Sequence, residues 1–513
     1  MIEFASHAAP SYGVRKAPEV PAAVSAREAG TVKGEDVMAR RRALQVDATR
    51  CFLESKRVLV NWGTGTGKSR VGIYSVAMLY RYFGCRRFLL LVDQTPHKKN
   101  WKDEFGEAFA DKDLGDLLYG LCTVECYASL KKYVGTEWDC VICDEAHHLR
   151  GENRTGMISS LKTPRMLLLS ATMSEKGDGD ALLGELTGTF GPFETLDFSV
   201  QDGIDAGFIG VPKIHIHVLA LEEIKAEQEI TVTWGFKNAR KRLLVDAAGY
   251  EKVWDRTKNA PRKGYPHMEL TVRCSARDAY TILTEQCDYY RTAAETAEDE
   301  EFFATGDEKA AKTKRAALMR TMQRNCGARR KAFLGHCKTE AVTDMIGYLE
   351  KRNTKFLCFC TDIRQIKLLG GDGERIIHSG DGRTKKTNQG VIDAFNGDRI
   401  RSLFAVDMAR EGQNLRGIEA GIIVQLDGKE RQFVQRFGRV LRSKNPVQEI
   451  YVVQGTKDEE WLVNAMTDID TGYVTVHMPG EKIWRRWSDT PYEDMLRAAR
   501  ERAAYSDSAG LIF

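Results

Sequence analysis

The sequence predicts an α/β protein with two parallel-sheet segments and a mostly helical stretch between them. Three observations predict it. Short runs that are apolar throughout, at residues 58–60, 88–92, 141–143 and 166–169, alternate with helical stretches. Parallel strands covered on both faces need such runs, because neither face meets water. The alternation resumes at residues 356–359, 375–377, 403–406, 421–425 and 450–453. Between the two segments, residues 213–335 break the rhythm: strand-like stretches at 214–218 and 268–272 stand in otherwise helical sequence.

In chain order, residues 1–35 carry Pro10, Pro18 and Pro21 without a lasting hydrophobic period, which predicts a flexible arm. A helical pattern starts at Asp36 and runs through Arg42 and Gln45 towards Leu53. The first α/β domain is placed at 36–212 and the helical insertion or linker at 213–335. That insertion holds an acidic block, Glu295, Glu298, Asp299, Glu300 and Glu301, then a basic one from Lys309 to Lys331. Within the basic block Leu318, Met319, Met322 and Cys326 recur at helical spacing, so one face is buried and the other charged. The second α/β domain is placed at 336–466. Residues 467–513 form a C-terminal brace or tail containing Trp484-Arg485-Arg486-Trp487. Two tryptophans so spaced anchor a tail, although the same mix of rings and cations can stack bases.

Composition narrows the function. The 513 residues suggest about three domains. With 42% hydrophobic and 29% charged residues the chain is not a disordered protein. The net charge of +4 is small, so any nucleic-acid surface must arise from segregated charge. No apolar run approaches the ~18 residues of a membrane span. The N-terminus lacks a secretory pattern, and the 12 cysteines are scattered. A cytoplasmic location with reduced thiols and no membrane partner is therefore expected.

Three motifs carry chemistry. Gly63-Thr64-Gly65-Thr66-Gly67-Lys68-Ser69 follows a strand and opens a helix. Phosphates need backbone N–H groups converging at a helix N-terminus, and glycines let the chain approach closely. Lys68 is expected to reach the β/γ-phosphates of ATP and Ser69 to hold Mg²⁺. Trp62 stands where the fullest form of this loop begins with glycine. Next, Asp144-Glu145-Ala146-His147 follows the strand at 141–143. An aspartate at a strand's end can hold the same Mg²⁺, and the adjacent glutamate can activate water. Last, Gln435-Arg436-Phe437-Gly438-Arg439-Val440-Leu441-Arg442 places Arg439 and Arg442 on one helix face. Two guanidinium groups so arranged suit a polyphosphate whose charge grows in the transition state.

In this order the motifs resemble the superfamily 2 helicases and translocases over roughly residues 40 to 465. The resemblance implies two tandem RecA-like domains clamping ATP, with Arg439 and Arg442 acting as arginine fingers from domain two. It also implies that Arg42 and Gln45, with Gln435, contribute to the nucleotide site. His147, Ser170 and Thr172 would couple hydrolysis to strand movement, as would Glu411 and Gly412. His378-Ser379-Gly380 and Phe395-Asn396 have parallels in the same superfamily. Asn100-Trp101, Glu104-Phe105, residues 127–130, residues 321–327 and Lys338-Thr339 look like the Swi/Snf-type DNA translocases. Ser170-Ala171-Thr172 departs from that subgroup, which has a Gly-Thr-Pro variant there.

The expectation is thus an ATP- and Mg²⁺-dependent DNA helicase or translocase acting on duplex DNA. The sequence carries no nuclease motif, so a nuclease would have to be a partner subunit; a replication or repair factor is the other candidate partner. The alternatives are an RNA helicase with the same ATP site and an ATP-gated nucleic-acid clamp that does not move. Cys140-Val141-Ile142-Cys143 has a metal-ligand spacing, but a strand sends positions three apart to opposite faces, so buried thiols are expected. The cations Lys237, Arg240, Lys241 and Arg242, with the basic helix 309–331, are candidate phosphate contacts or solvated faces.

Overall fold

In the computed structural model the described residues are 34–149, 152–171, 178–225, 228–235, 267–371, 373–380, 382–406, 415–427, 436–441, 443, 445–467 and 469–509. They form two compact units, one reaching Val211 and the other starting at Pro212.

The first unit is built on six strands: β1 Arg57–Trp62, β2 Phe88–Val92, β3 Cys122–Cys126, β4 Cys140–Asp144, β5 Met166–Ser170 and β6 Glu194–Phe198. They lie in the order β3-β2-β4-β5-β1-β6, and every pairing is parallel. The runs foreseen for β1, β2, β4 and β5 are the central strands, with scarcely a residue exposed. The strands β3 and β6 have no counterpart among the apolar runs of the sequence. Both are edge strands, β3 half-covered and β6 largely exposed, and polar residues interrupt them, so neither leaves a continuous apolar run. Cys140 packs in the core on one face of this sheet and Cys143 in the core on the other. Burial pushes the Cys143 thiol up to about 12.

The second unit holds β7 Lys213–Leu219, β8 Gln228–Gly235, β9 His267–Cys274, β10 Phe356–Phe359, β11 Ile376–Ile377, β12 Ser402–Ala405, β13 Ala420–Ile423, β14 Val447–Val453, β15 Val474–His477 and β16 Trp484–Arg486. Eight of these make one sheet in the order β11-β12-β10-β13-β14-β7-β15-β16. Only β16 runs antiparallel in it. The sheet corrects two expected boundaries. The segment 214–218 is a strand, but it belongs to this sheet, between β14 and β15, rather than to the insertion. The C-terminal residues do more than brace the domain, since β15 and β16 extend its sheet. Trp487 is buried against Tyr492, as an anchor requires, whereas Trp484 packs its ring on His215, His217 and His477.

The insertion proper is the antiparallel pair β8–β9 and two long helices, Ala276–Phe302 and Asp307–Cys337. Cys287, Tyr290, Met322 and Cys326 form their seam. Acidic and basic blocks meet across it: Arg315 pairs with Glu300 at 2.6 Å, and Arg320 pairs with Glu298. Two of the expected cations are thus already matched. Residues 237–242 and the arm at 1–33 lie outside the described residues.

Candidate active site

The strand order decides the site. Ligands of open α/β sheets bind at the carboxyl ends of the strands. With β4, β5 and β1 adjacent, the P-loop after β1, Asp144 at the end of β4 and Ser170 at the end of β5 share one edge. Ser170 is level with Asn61, and Asp144 with Leu169.

The loop is shaped by backbone that other residues adopt with strain. Gly65 has φ +88° and Gly67 φ +97°, in the left-handed region. A Cβ at Gly67 would also collide with the Gln45 side chain, and one at Gly63 would lie 2.7 Å from the Val200 nitrogen. Thr66 Oγ1 donates to the Gly63 carbonyl at 2.7 Å and closes the turn. The helix Lys68–Phe83 then starts with no side-chain cap, so its first N–H groups face the loop. Lys68 Nζ donates to the Trp62 carbonyl at 2.8 Å.

The helix Gly34–Ser55 supports this loop from behind. Gln45 is buried, with Nε2 within 3.5 Å of the Thr66 carbonyl and 3.4 Å of the Gly67 carbonyl. Arg41 Nε donates to the Thr66 carbonyl at 3.1 Å, and its Nη2 donates to the Gly65 carbonyl. The arginine on the loop is therefore Arg41, one turn before Gln45. Arg42, the expected residue, is exposed.

Asp144 is fixed on all sides. Trp101 Nε1 donates to its Oδ2 at 2.8 Å, the Glu145 N–H to its Oδ1 at 3.1 Å, and Tyr127 Oη to its carbonyl at 2.8 Å. Burial pushes its carboxyl above the ordinary range, while the Trp101 hydrogen bond and the Lys68 charge oppose that rise. Glu145 sits at φ +50°, a conformation that costs a side-chain-bearing residue of order 1–3 kcal/mol. His147 joins the groups: its Nδ1 lies 3.5 Å from Glu145 Oε2 and 3.2 Å from Ser170 Oγ. His148 approaches Asp93 at 3.3 Å and packs its ring 4.4 Å from that of His147. In the sequence Trp101 is marked only by the resemblance to the Swi/Snf-type translocases. Its hydrogen bond to Asp144 has no local sequence signal, because 43 residues separate the two.

In the second unit, Arg436 to Val440 form a helical turn. Arg436 is buried; its Nη1 donates to the Gln425 carbonyl at 2.8 Å, and its guanidinium lies over the Phe359 ring. Arg439 is half-buried on the same turn. Gln425 also joins a buried pair: Lys338 Nζ meets Asp458 Oδ2 at 2.6 Å and Gln425 Oε1 at 2.8 Å, and Gln425 Nε2 donates to Asp458 Oδ1 at 2.6 Å. An open cavity of about 490 Å³ beside β11 is lined by Lys367, His378 and Arg383. Thr172, Glu411, Gly412, Gln435 and Arg442 lie outside the described residues.

The donor set fits a magnesium nucleotide. A glycine cradle that Cβ atoms would fill and an uncapped helix start suit phosphates. The Ser69 hydroxyl and the Asp144 carboxylate are hard oxygen ligands suited to Mg²⁺. A fold and site of this kind define a P-loop nucleotide hydrolase with tandem RecA-like domains. Residues 38–175 match the family described as type III restriction enzyme, res subunit, and residues 337–444 match the helicase conserved C-terminal domain. A curated relative, the DNA 3'-5' translocase XPB2 of Sulfurisphaera tokodaii, is 22% identical over 81% of this chain and 82% of its own length. The solved helicase domain of Hef from Pyrococcus furiosus is 14% identical, with a TM-score of 0.41, over 84% of this chain and 98% of that one. The two family matches and the translocase relative together support a superfamily 2 helicase.

Proposed function

We propose that this helicase-family ATPase is a DNA translocase that hydrolyses ATP to move along duplex DNA. The observation that carries the ATP chemistry is the gathering of the P-loop, Asp144, Glu145 and Ser170 at one end of β1, β4 and β5. In this reading Gly63 to Ser69 cradle the phosphates and Lys68 leaves the Trp62 carbonyl to neutralise them. Ser69 and Asp144 hold Mg²⁺, which when bound offsets the charge of the phosphates. Trp101 keeps Asp144 turned towards the loop. Glu145 accepts the proton of the attacking water.

The coupling step follows from His147, which touches both Glu145 and Ser170. A change at the water-activating glutamate therefore reaches the end of β5 through one side chain. Arg439 and Arg442 are assigned, as the resemblance implies, to the transferring phosphoryl group. Gln45 and Arg41 would steady the loop near the base. Lys367, His378 and Arg383 offer phosphate contacts in the second unit, and such contacts carry no sequence information.

Duplex DNA is favoured over RNA by the Swi/Snf-like features at Trp101 and Lys338 and by the translocase relative. The test is displacement of a third strand from a triplex, with a matched RNA duplex in parallel. The expected result is ATP-dependent displacement on DNA that Glu145→Gln abolishes. Activity on the RNA duplex alone would move the protein to the RNA helicases. ATP-dependent binding without displacement would make it a clamp.

A further inference from the structure

The end of the first sheet opposite the P-loop carries chemistry that the ATP site does not use. Arg86 and Arg87 precede β2, Trp138 precedes β4 and Arg165 precedes β5. Because β2, β4 and β5 are neighbours, these strand starts stand side by side at intervals of about 5 Å. The helix Lys68–Phe83 ends at the same edge, where Gly84 at φ +69° turns the chain back. Three guanidinium groups there lie over aromatic rings: Arg86 over Tyr80 at 4.1 Å, Arg165 over Phe83 at 4.8 Å and Arg87 over Trp138 at 5.4 Å.

Tyr82 and Phe83 are 58% and 51% exposed, which is unusual for two adjacent large rings beside so much charge. The nearby carboxylates are already engaged. Asp139 Oδ2 accepts from the Arg86 N–H at 2.7 Å and the Arg87 N–H at 2.9 Å. Glu137 pairs with Lys162 at 3.2 Å. An open cavity of about 330 Å³ beside them is lined by Arg87, Trp138 and Lys162.

We propose that this edge binds single-stranded nucleic acid, with bases stacking on Tyr82 and Phe83 and phosphates held by Arg86, Arg87 and Arg165. A guanidinium stacked on a ring is held in place by its face and keeps N–H groups at its rim for phosphate. Cationic groups interleaved with exposed rings are what a single strand needs. A duplex offers phosphates but keeps its bases from the rings. An acidic peptide offers carboxylates but nothing for the two rings to stack on. The edge lies at the opposite ends of the strands from the ATP loops, so it is a contact separate from that site.

The test uses the full chain, ultraviolet crosslinking to 5-iodouracil-bearing deoxyoligonucleotides and ribo-oligonucleotides, and binding titrations over a range of salt. Adducts on Tyr82 or Phe83 are expected, and whichever sugar gives them identifies the strand. Arg86→Glu with Arg87→Glu should weaken single-strand binding at least tenfold and flatten the plot of log affinity against log salt by about 1.4. Tyr82→Ala with Phe83→Ala should abolish the adducts and weaken binding several-fold with little change of slope. Hydrolysis of ATP without nucleic acid should be unchanged in both variants, which shows that they are folded. Adducts confined to other residues, or single-strand affinities unchanged in both variants, would overturn the proposal. So would polyglutamate competing as well as oligothymidylate of equal charge, which would assign the edge to an acidic peptide. Equal loss of duplex and single-strand affinity in the arginine variant, with no effect of the ring variant, would overturn it in favour of a duplex contact.

Discussion

At the end of β4, a tryptophan outside the motif decides where the motif's aspartate points. Asp144 Oδ2 takes the Trp101 N–H at 2.8 Å, and the same indole packs against Gly72 of the P-loop helix. A Cβ on Gly72 would lie 2.8 Å from the indole, so helix, ring and carboxylate are adjusted to one another. Trp101→Phe keeps most of the packing and removes the donor. By analogy with partners that orient metal-ligating carboxylates, kcat for ATP should fall about 10–100-fold while the fold survives. Steady-state hydrolysis with a thermal melt checks this; an unchanged kcat would show that Asp144 needs no such support. The motif residues themselves were legible because loop, strand and helix signals are local. The choice of Arg41 over Arg42 was not, since positions three and four before Gln45 both lie on its side of a helix.

At the scale of elements, the second sheet is joined to its helices by buried charge. Lys338 ends the long helix Asp307–Cys337, and Asp458 starts the helix Lys457–Ala465; both side chains are fully buried. Burial pulls the Lys338 ammonium down from its usual range, and Asp458 opposes that shift. Lys338→Met leaves a buried carboxylate without its cation, which costs about 3–5 kcal/mol. Chemical denaturation should show that loss, and a difference near zero would mean that water or a shifted proton replaces the pair. A second junction is sensitive to pH. Asp362 caps the helix Ile363–Gly370 through the Gln365 N–H at 2.8 Å and meets His336 Nε2 at 2.8 Å. Burial raises its carboxyl, but the bonds from His336 and Gln365 outweigh that and hold it below the ordinary range. A depressed folded value means that the stabilisation is present above the unfolded value near 4 and disappears as pH falls through the folded one. Asp362→Ala should therefore cost about 1 kcal/mol at neutral pH, the worth of a cap, and the gap should narrow in acid. A gap independent of pH would assign the loss to packing.

The same scale shows why sequence went only part of the way. Central strands announce themselves by continuous apolar runs, whereas β3 and β6 have one edge free and tolerate Glu125 and Asp197. The strand β7 was seen as a strand, but its alternating Ile214-His215-Ile216-His217-Val218 says nothing of its neighbours. Its partner β14 lies more than 200 residues away, and Glu449 there meets both histidines, at 3.0 and 2.7 Å. Long-range pairing of this kind leaves no local mark.

For the whole molecule, the proposed function divides the labour between two RecA-like units: the first would supply the phosphate cradle and the water-activating glutamate, the second the arginines. A chain whose net charge is only +4 cannot hold nucleic acid by bulk attraction, so its contacts must be local and sensitive to salt. Under the proposed function, ATP turnover at Lys68 is driven by duplex DNA. The measurement is steady-state ATP hydrolysis by the wild type and by Lys68→Ala, first alone and then with duplex DNA, single-stranded DNA and RNA at matched salt. Low basal turnover, strong stimulation by duplex DNA and none in the variant are the expected results. Hydrolysis in Lys68→Ala near the wild-type rate, or wild-type turnover indifferent to duplex DNA, would contradict it.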